Sequence, residues 1–291
     1  MKRAIRRFVA SLEEGPRKVV FIVVLFLVCV VALCLVIYAQ FFYKYADTDP
    51  LMIGINIGSK KTAEEIAILK SNFNNLFTNS VKINSENVNV EKIDSNNSNI
   101  VYTGYDLTNE DENYYNINVK IPVLNINTDV AKQINSEIKK DFYDLANNIM
   151  RRSQGNTVYT VSYAAFINED ILSIAVKSSL KEQDKAEKVT VKTYNYNMPG
   201  KKIATLNDLI ELKGTTSKDV QSTIEVDVKD SYNNARLIAE EFGNLYERDL
   251  SSDIYKVENT ENFFLTEDGY VYIVYAYGNN DYTNEMDIII F

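Results

Sequence analysis

Reactive side chains are scarce in this chain of 291 residues, which has no histidine and only two cysteines. The absence of histidine removes Ser-His and Cys-His nucleophilic pairs and the usual zinc ligand sets. The ten glycines are scattered, so the sequence contains no glycine-rich phosphate-binding loop. We therefore predict no cofactor, no metal site and no catalytic residue of these kinds, which leaves carboxylates and tyrosines as the candidates.

Three pairs of neighbouring acids are the candidates for carboxylate catalysis: Glu110/Asp111, Glu169/Asp170 and Glu267/Asp268. A glycosidase needs two such groups, one as the acid and one as the base or nucleophile. All three pairs fall in predicted turns, where acidic side chains are common because they bond the local backbone. Their spacing also lacks the cage of oxygen ligands that calcium requires. We predict that the protein is not an enzyme, with a carboxylate-based peptidoglycan-active enzyme as an alternative.

Tyrosine is the abundant polar aromatic residue, with twenty in the chain and the densest cluster in GYVYIVYAYG at 269–278. In a strand, Tyr270 and Tyr272 share one face, and Tyr275 and Tyr277 share the other. Tyrosine gives a binding surface a large contact area with a polar tip. It is equally a favoured strand residue. These four tyrosines are the candidate ligand-binding residues, with packing of the strand as the alternative role.

A membrane segment is predicted at 19–39, where VVFIVVLFLVCVVALCLVIYA carries no charge. At 1.5 Å per residue this run reaches about 31 Å, the thickness of a hydrocarbon core. Cationic residues precede it and acidic residues follow it, so the positive-inside rule predicts a cytoplasmic N-terminus and an extracellular C-terminal domain. A cleaved signal peptide is the alternative, because Ile37-Tyr38-Ala39 fits a cleavage site. Both cysteines lie in this run, so the extracytoplasmic part must rely on an ordinary core.

Charge divides across the predicted membrane segment. Residues 1–18 carry six cationic and two acidic side chains, and 19–39 carry none, so the net charge of −9 for the whole chain leaves −13 for 40–291. An acidic body repels nucleic acid and favours encounter with a cationic protein or peptide. The tail 1–18 has the pattern of a short basic amphipathic helix, which suits the inner membrane leaflet or a cytoplasmic regulator.

Residues 40–99 are predicted to form a connector with one helix. That helix begins at a capping box, Thr62 to Glu65, and ends near Asn79, with its apolar residues on one side. The stretch 84–99 is rich in asparagine and serine, and we interpret it as a flexible joint.

Residues 100–291 are predicted to form an α+β domain, an antiparallel sheet flanked by helices. Apolar residues between Val130 and Ile149 recur at steps of four and three, the pattern of an amphipathic helix. A longer helix is predicted from about Lys218 to Leu250. Alternating segments joined by tight turns predict the antiparallel strands. Two subdomains, near 100–185 and 186–291, are an option that the pattern leaves open.

Three motifs follow one another in this domain. A strand ending in proline leads into a helix with the step Ile134-Asn135, a Leu-x-Asp-Leu element lies at 206–209, and a Phe-x-Leu-x-x-x-Gly hairpin lies at 263–269. In this order they resemble the paired extracytoplasmic modules of RsiV-type anti-sigma factors and PdaC-type peptidoglycan deacetylases. The Gly-Gly-Ala-His segment of that family is missing, because 156–199 contains neither glycine nor histidine.

The resemblance implies a mixed α/β fold outside the cytoplasmic membrane of a Gram-positive-type cell, and binding of ligands at the cell surface. RsiV-type members have a cytoplasmic sigma-binding tail, one membrane span and an external domain that senses lysozyme. The resemblance covers modules outside the esterase domain, so it implies no deacetylase activity. We therefore expect a single-pass, membrane-anchored, non-catalytic protein that binds a cationic protein or a cell-wall fragment. A passive wall-associated scaffold is the alternative.

Overall fold

The computed structural model describes residues 60–78, 83–84, 90–153, 155–242, 245–281 and 283–291. The predicted tail, the predicted membrane segment and the side chain of the predicted N-cap Thr62 lie outside this description. None of the helices in the described ranges is long and apolar enough to cross a membrane. All described residues belong to one compact unit, Gly54–Phe291.

Ten strands form two sheets in the described residues. The strands are β1 (Ile83–Asn84), β2 (Asn99–Asp111), β3 (Tyr115–Leu124), β4 (Thr157–Asn168), β5 (Ile171–Glu182), β6 (Lys188–Asn197), β7 (Lys202–Ile203), β8 (Phe263–Leu265), β9 (Val271–Ala276) and β10 (Met286–Ile290). The α-helices are α1 (Lys60–Ser71), α2 (Asp129–Ile138), α3 (Asp144–Arg152), α4 (Leu206–Leu212) and α5 (Ser217–Phe242). A π-helix spans Lys139–Tyr143, and 3₁₀ turns span Phe73–Phe77, Asp253–Tyr255, Val257–Asn259 and Tyr277–Asn279. The predicted α+β class is confirmed.

The larger sheet contains β1 to β7 in chain order. Its neighbouring strands are antiparallel except β3 and β4, which are parallel. Parallel neighbours need a crossover connection, and here the helical segment from α2 to α3 supplies it. The prediction of an antiparallel sheet is therefore correct for the hairpins and wrong for this one pair.

The crossover contains the apolar period that the sequence predicts, but it is not one α-helix. Thr128 begins it as the N-cap, because its side-chain oxygen accepts a hydrogen bond from the backbone N–H of Ala131. Ile134, Ile138 and Phe142 are buried against the larger sheet at steps of four. The π-helix interrupts the α-helix at Lys139. It changes the direction in which the side chains after it point.

Asn135 joins the crossover helix to the end of β3. Its side-chain oxygen accepts a hydrogen bond from Leu124 N (2.8 Å), and its amide nitrogen donates to Leu124 O (2.8 Å). The side chain thus pairs with the backbone as a neighbouring strand would. The Ile-Asn step of the sequence motif therefore has a structural cause, since isoleucine enters the core and asparagine holds the strand end.

The smaller sheet has the order β10-β9-β8 and is antiparallel. The two faces of β9 alternate as the sequence predicts. Tyr272 packs in one apolar cluster with Tyr270 at its edge, and Tyr275 and Tyr277 pack in another. The alternation follows from the two-residue period of side chains along a strand.

Polar side chains of the larger sheet hold the backbone of β8. Thr193 Oγ1 accepts from Phe263 N (2.9 Å), and Asn195 Nδ2 donates to Phe263 O (2.7 Å). Ser173 Oγ accepts from Leu265 N (3.0 Å) and donates to the Asn195 side chain (2.6 Å). Buried polar groups are tolerated where each has a partner. Thr193 and Asn195, from the sequence TYNYN at 193–197 of β6, therefore join the two sheets.

The predicted connector helix is α1, and it packs where the larger and the smaller sheet meet. It begins at Lys60, two residues before the predicted N-cap, and continues as the 3₁₀ turn that contains Phe73 and Phe77. Both phenylalanine rings are buried, and the Phe73 ring lies 6.4 Å from Phe264 and 6.3 Å from Tyr272 between centroids. Polar contacts add to the packing: Lys70 pairs with Asp227 (2.6 Å), and Tyr270 donates to Glu65 (2.7 Å).

Two further interpretations of the sequence are wrong in the described residues. Residues 90–99 are not a free joint, because the buried Asn125 side chain bonds the backbone of Asp94 and Asn99. The long helix ends at Phe242, eight residues before the predicted end at Leu250. The chain from Tyr246 onward instead follows the smaller sheet, where Tyr246 N donates to Glu285.

Candidate binding groove

The acidic pairs predicted from the sequence lie in exposed positions. Glu110/Asp111 ends β2, Glu169/Asp170 forms the turn between β4 and β5, and Glu267/Asp268 forms the turn before β9. The last two turns are adjacent, because Asn168 Nδ2 donates to Glu267 O (2.7 Å). Among the described residues, no group of three or more His, Cys, Asp or Glu is placed to hold a metal ion. These acids therefore form no enclosed site.

Three of the four candidate tyrosines lie in the core. Tyr272 stacks on Phe264 with 4.9 Å between ring centroids, and Tyr275 bonds Thr260 through its hydroxyl (3.1 Å). Burial raises the pKa of both hydroxyls to about 12. Tyr270 is half-buried and bonds the connector helix. Ligand contact by these tyrosines stays a prediction, and Tyr275 and Tyr277 contribute to the wall of a cavity described below.

Tyr277 belongs to a buried polar cluster, which we name the Arg248 network. Its members are Tyr246, Arg248, Tyr255, Tyr277, Glu285 and Asp287. Arg248 donates to Asp287 through Nε (2.7 Å) and Nη2 (3.0 Å), and their side chains are 3% and 1% exposed. The Tyr277 hydroxyl donates to Asp287, and the Arg248 guanidinium lies 4.9 Å from the centre of the Tyr277 ring. Burial, and then Asp287, raises the pKa of Tyr277.

The Arg248 network fastens the chain after α5 to β10. Removing one partner of such a pair leaves a buried charge without compensation, which is far more costly than losing a surface pair. The side chains of Arg248, Tyr255, Tyr277, Glu285 and Asp287 all have a hydrogen-bond partner within it, and the Tyr246 ring stacks on Tyr277. The network therefore has a structural role, and Tyr277 is placed by it.

Two cavities lie along β6 and another adjoins them beside β9, and we name them together the β6 groove. The central cavity has a volume of about 440 Å³ and lies between α2 with its π-helix, residues 192–195 of β6, and residues 261–263 and 279–280. A second cavity of about 570 Å³ shares Glu261, Asn262, Asn279 and Asn280 with it. A third, of about 200 Å³, shares Asp141, Lys192 and Asn279. The two larger volumes fall in the range of ligand sites, roughly 300–1,000 Å³.

The turn that forms one wall of the groove depends on Gly278. A Cβ atom at this position would lie 2.1 Å from Val189 O and 2.5 Å from Thr283 O, both backbone atoms. Only glycine allows the turn to approach β6 so closely. The close approach places Asn279 against the strand, where its Nδ2 donates to Val191 O (3.4 Å).

Polar atoms without partners are concentrated in this groove. Three buried side-chain polar atoms of the described residues make no hydrogen bond of good geometry: the hydroxyls of Tyr159 and Tyr194, and Oδ1 of Asn279. Weaker contacts link the Tyr159 hydroxyl to Ser178 and the Tyr194 hydroxyl to Asp141. Tyr194 lines the central cavity, Tyr159 lines the third, and Asn279 lines all of them. Tyr194 is 9% exposed. A buried polar group without a partner costs about 1–3 kcal/mol, so each of the three is a cost to the fold at the wall of the groove.

The walls of the central cavity are acidic. Glu137, Asp141 and Glu261 face one cation, Lys192, whose Nζ pairs with Asp141 at 2.7 Å. Asp141 reaches the groove from the π-helix, a form that often occurs at functional sites. Burial, and then the charges of Asp141 and Glu137, raises the pKa of Tyr194. The hydroxyl therefore stays protonated and can both donate and accept a hydrogen bond.

Sequence reasoning did not find this groove. Its walls come from segments near 134–141, 192–195, 261–263 and 279–280, which are far apart in the chain. One signal was available, because the TYNYN strand carries more polar residues than a buried strand needs. Thr193 and Asn195 of that strand bond β8, whereas Tyr194 lies between them on the other face and faces the groove.

Comparisons with solved structures give distant neighbours, two of which are DUF3298 family proteins. A DUF3298 family protein from Pseudomonas aeruginosa is 12% identical, over 60% of this chain and 79% of its own, with a TM-score of 0.34. A DUF3298 family member from Bacteroides fragilis is 13% identical, over 55% of this chain and 74% of its own, with a TM-score of 0.29. No protein-family model and no curated protein matches the chain.

Proposed function

We propose that this protein is a membrane-anchored, extracytoplasmic binding protein of the cell envelope, and that its ligand occupies the β6 groove. The ligand is a cationic protein or a cell-wall fragment, and the protein performs no reaction on it. The observation that carries the proposal is the placement of unpartnered polar atoms. All three in the described residues lie on one groove, whose two larger cavities are acidic.

The acidic groove favours a cationic ligand. Three carboxylates and one ammonium group line the central cavity, and the second cavity adds Asp253 and Glu258. The body of the chain has the same sign, with −13 for residues 40–291. Like charges across an interface are unfavourable, and complementary charges speed encounter. A basic surface therefore fits this groove better than a teichoic acid or another polyanion.

The resemblance to RsiV-type and PdaC-type modules supports an extracytoplasmic role. In this chain its motifs are positions that hold the fold together. Asn135 pairs with the end of β3, Asp208 completes the capping box of α4 with Thr205, and Gly269 has φ +84° in the turn before β9. We infer that the motifs specify the scaffold, whereas the groove residues specify the ligand.

Binding at the groove is tested with the full-length chain in detergent, using lysozyme and soluble peptidoglycan fragments as probes. The double variant E137Q/E261Q removes two groove charges, and E110Q/D111N removes two exposed charges at the end of β2 as the matched control. We expect the groove variant to weaken binding of the basic protein about tenfold and the control to leave it unchanged. Equal affinities for both variants, with both folded, would remove the groove from the function.

Signalling through the tail is the second part of the proposal. In a sensing protein, ligand binding exposes the connector to proteolysis and releases the tail, whereas a passive scaffold sends no signal. Deletion of residues 2–14 separates the two. We expect the transcriptional response to wall stress to be lost in cells with this deletion. A normal response, with the protein present at its usual level, would leave the scaffold as the function.

A further inference from the structure

β6 is an edge strand over most of its length. It pairs with β5 from Lys188 to Asn197, but on its other side β7 covers only Tyr196 and Asn197. The backbone groups of an antiparallel strand alternate in direction, so every second residue presents its N–H and C=O to the open side. Here the odd-numbered residues do so: Val189 N donates to Thr283 O, and Asn195 O accepts from Ala204 N.

Between these two bonds, side chains cover the open edge in place of a strand. Asn262 Oδ1 accepts from Thr193 N at 3.3 Å, and Asn279 Nδ2 donates to Val191 O at 3.4 Å. Both distances exceed the usual 2.9–3.0 Å, so both bonds are weak. On the open side of β6, no backbone group among the described residues bonds the strand between these two points. The uncovered stretch, residues 190–194, is about 17 Å long at 3.4 Å per residue.

The edge lies at the floor of the central cavity of the β6 groove. That cavity is lined by Lys192 to Asn195 and by the walls on either side. One wall is α2 with its π-helix, which covers the face of the sheet where Tyr194 is packed. The other wall includes residues 261–263 and belongs with β8, which covers the opposite face. An extended segment laid along β6 would therefore be enclosed from both faces.

We propose that this open edge of β6 accepts an extended, basic peptide segment as an added strand. The segment belongs to the ligand, so this inference depends on the proposed function. Its main chain replaces the two asparagine side chains on Val191 and Thr193. Strand addition of this kind gives affinity through main-chain bonds and specificity through alternate side chains.

The side chains of the added strand meet acidic walls. Alternate residues point to opposite faces, so one set lies toward Glu137 and Asp141 and the other lies toward Glu261. Lysine or arginine at these positions pairs with the carboxylates, and displacement of Asn279 frees its amide for the incoming backbone. A neutral or acidic segment would lack these pairs and would face repulsion from the walls.

Labelled peptides test this inference on the full-length chain in detergent. The probe is a capped peptide of about five residues with alternating lysine and valine, which matches the length of the open edge. The matched control is the same peptide with N-methyl groups on alternate amides, which keeps every charge and removes the main-chain donors. A glutamate-valine peptide controls for charge. Binding is measured by fluorescence anisotropy, and amide exchange of β6 is followed by mass spectrometry.

We expect N-methylation to weaken binding by about tenfold or more, because the backbone bonds are lost while the charges stay. Bound lysine-valine peptide should slow amide exchange in residues 188–195, and E137Q/E261Q should weaken its binding. Equal binding of the methylated peptide would overturn strand addition and leave an electrostatic groove. Absence of peptide binding, with groove-dependent binding of lysozyme or wall fragments intact, would overturn this inference alone. Groove variants that alter no ligand would overturn the proposed function itself.

Discussion

The Arg248 network and the β6 groove both bury polar side chains, and they differ in how those side chains are bonded. Around Arg248, the guanidinium, the carboxylates and the hydroxyls of Tyr255 and Tyr277 bond one another. Along the groove, the hydroxyls of Tyr159 and Tyr194 make no hydrogen bond of good geometry and have only weak contacts with Ser178 and Asp141. A satisfied buried group is neutral or favourable to the fold, whereas an unsatisfied one is a cost that the fold tolerates. The contrast separates polar residues that stabilise the protein from polar residues that are a cost to the fold and that we propose to contact a ligand.

Alkaline pH should have the largest effect, because it ionises tyrosines buried in the core, Tyr255 of the network among them. Burial raises the pKa of Tyr255, Tyr272 and Tyr275 from 10.0 to about 12. Their folded-state pKa exceeds the unfolded value, so their contribution to stability is fully present below pH 10.0 and is lost as the pH rises through about 12. We expect cooperative unfolding in this window, measured by tyrosinate absorbance and circular dichroism. Ionisation of all tyrosines near pH 10 with the fold intact would contradict their burial.

Arg248→Met tests the network directly. It leaves Asp287 buried without its cation, and we expect a loss of about 3–5 kcal/mol in the free energy of unfolding. Lys192→Met is the matched control, because Lys192 is 47% exposed and its pair with Asp141 lies at the groove surface. An exposed pair contributes about 0–1 kcal/mol. Urea unfolding measures the free energy of unfolding of both variants. Similar losses would contradict the special contribution of the buried Arg248–Asp287 pair.

The smallest and most discriminating change removes one hydroxyl from each region. Tyr277→Phe deletes a bond to the Asp287 carboxylate, and we expect it to cost about 1.5–3 kcal/mol. Tyr194→Phe deletes a hydroxyl that has no partner, and we expect it to be neutral or to stabilise the fold by up to about 1 kcal/mol. The second variant should also bind the ligand of the groove more weakly. A destabilised Tyr194→Phe protein would mean that this hydroxyl has a partner in the fold.

The sequence predicts those features that depend on local periodicity. Ile134, Ile138 and Phe142 enter the core at the predicted steps, because a helix brings every fourth residue to one face. The tyrosines of β9 alternate between two clusters for the same kind of reason. The sequence does not predict the π-helix, since a one-residue change of period leaves no clear signal in a pattern of this length.

The groove could not be predicted, because the hydrogen-bond partners of its side chains come from distant parts of the chain. Tyr194 has no bond, whereas the neighbouring Thr193 and Asn195 are bonded by β8 from a segment about seventy residues later. Nothing in the residue types distinguishes these cases. Arg248 is similar, because its two carboxylates lie thirty-seven and thirty-nine residues further along the chain. The sequence shows which side chains are polar, whereas only the tertiary structure shows which of them have a hydrogen-bond partner.

The burial of Phe73 and Phe77 determines where the chain can be truncated. A fragment that starts at residue 100, where the pattern of the sequence places the domain border, would lose both rings and uncover Phe264 and Tyr272. Newly uncovered aromatic surface promotes aggregation. For expression and crystallisation, the useful starting point therefore lies ahead of Lys60, because the 3₁₀ turn after this helix contributes two aromatic rings to the core.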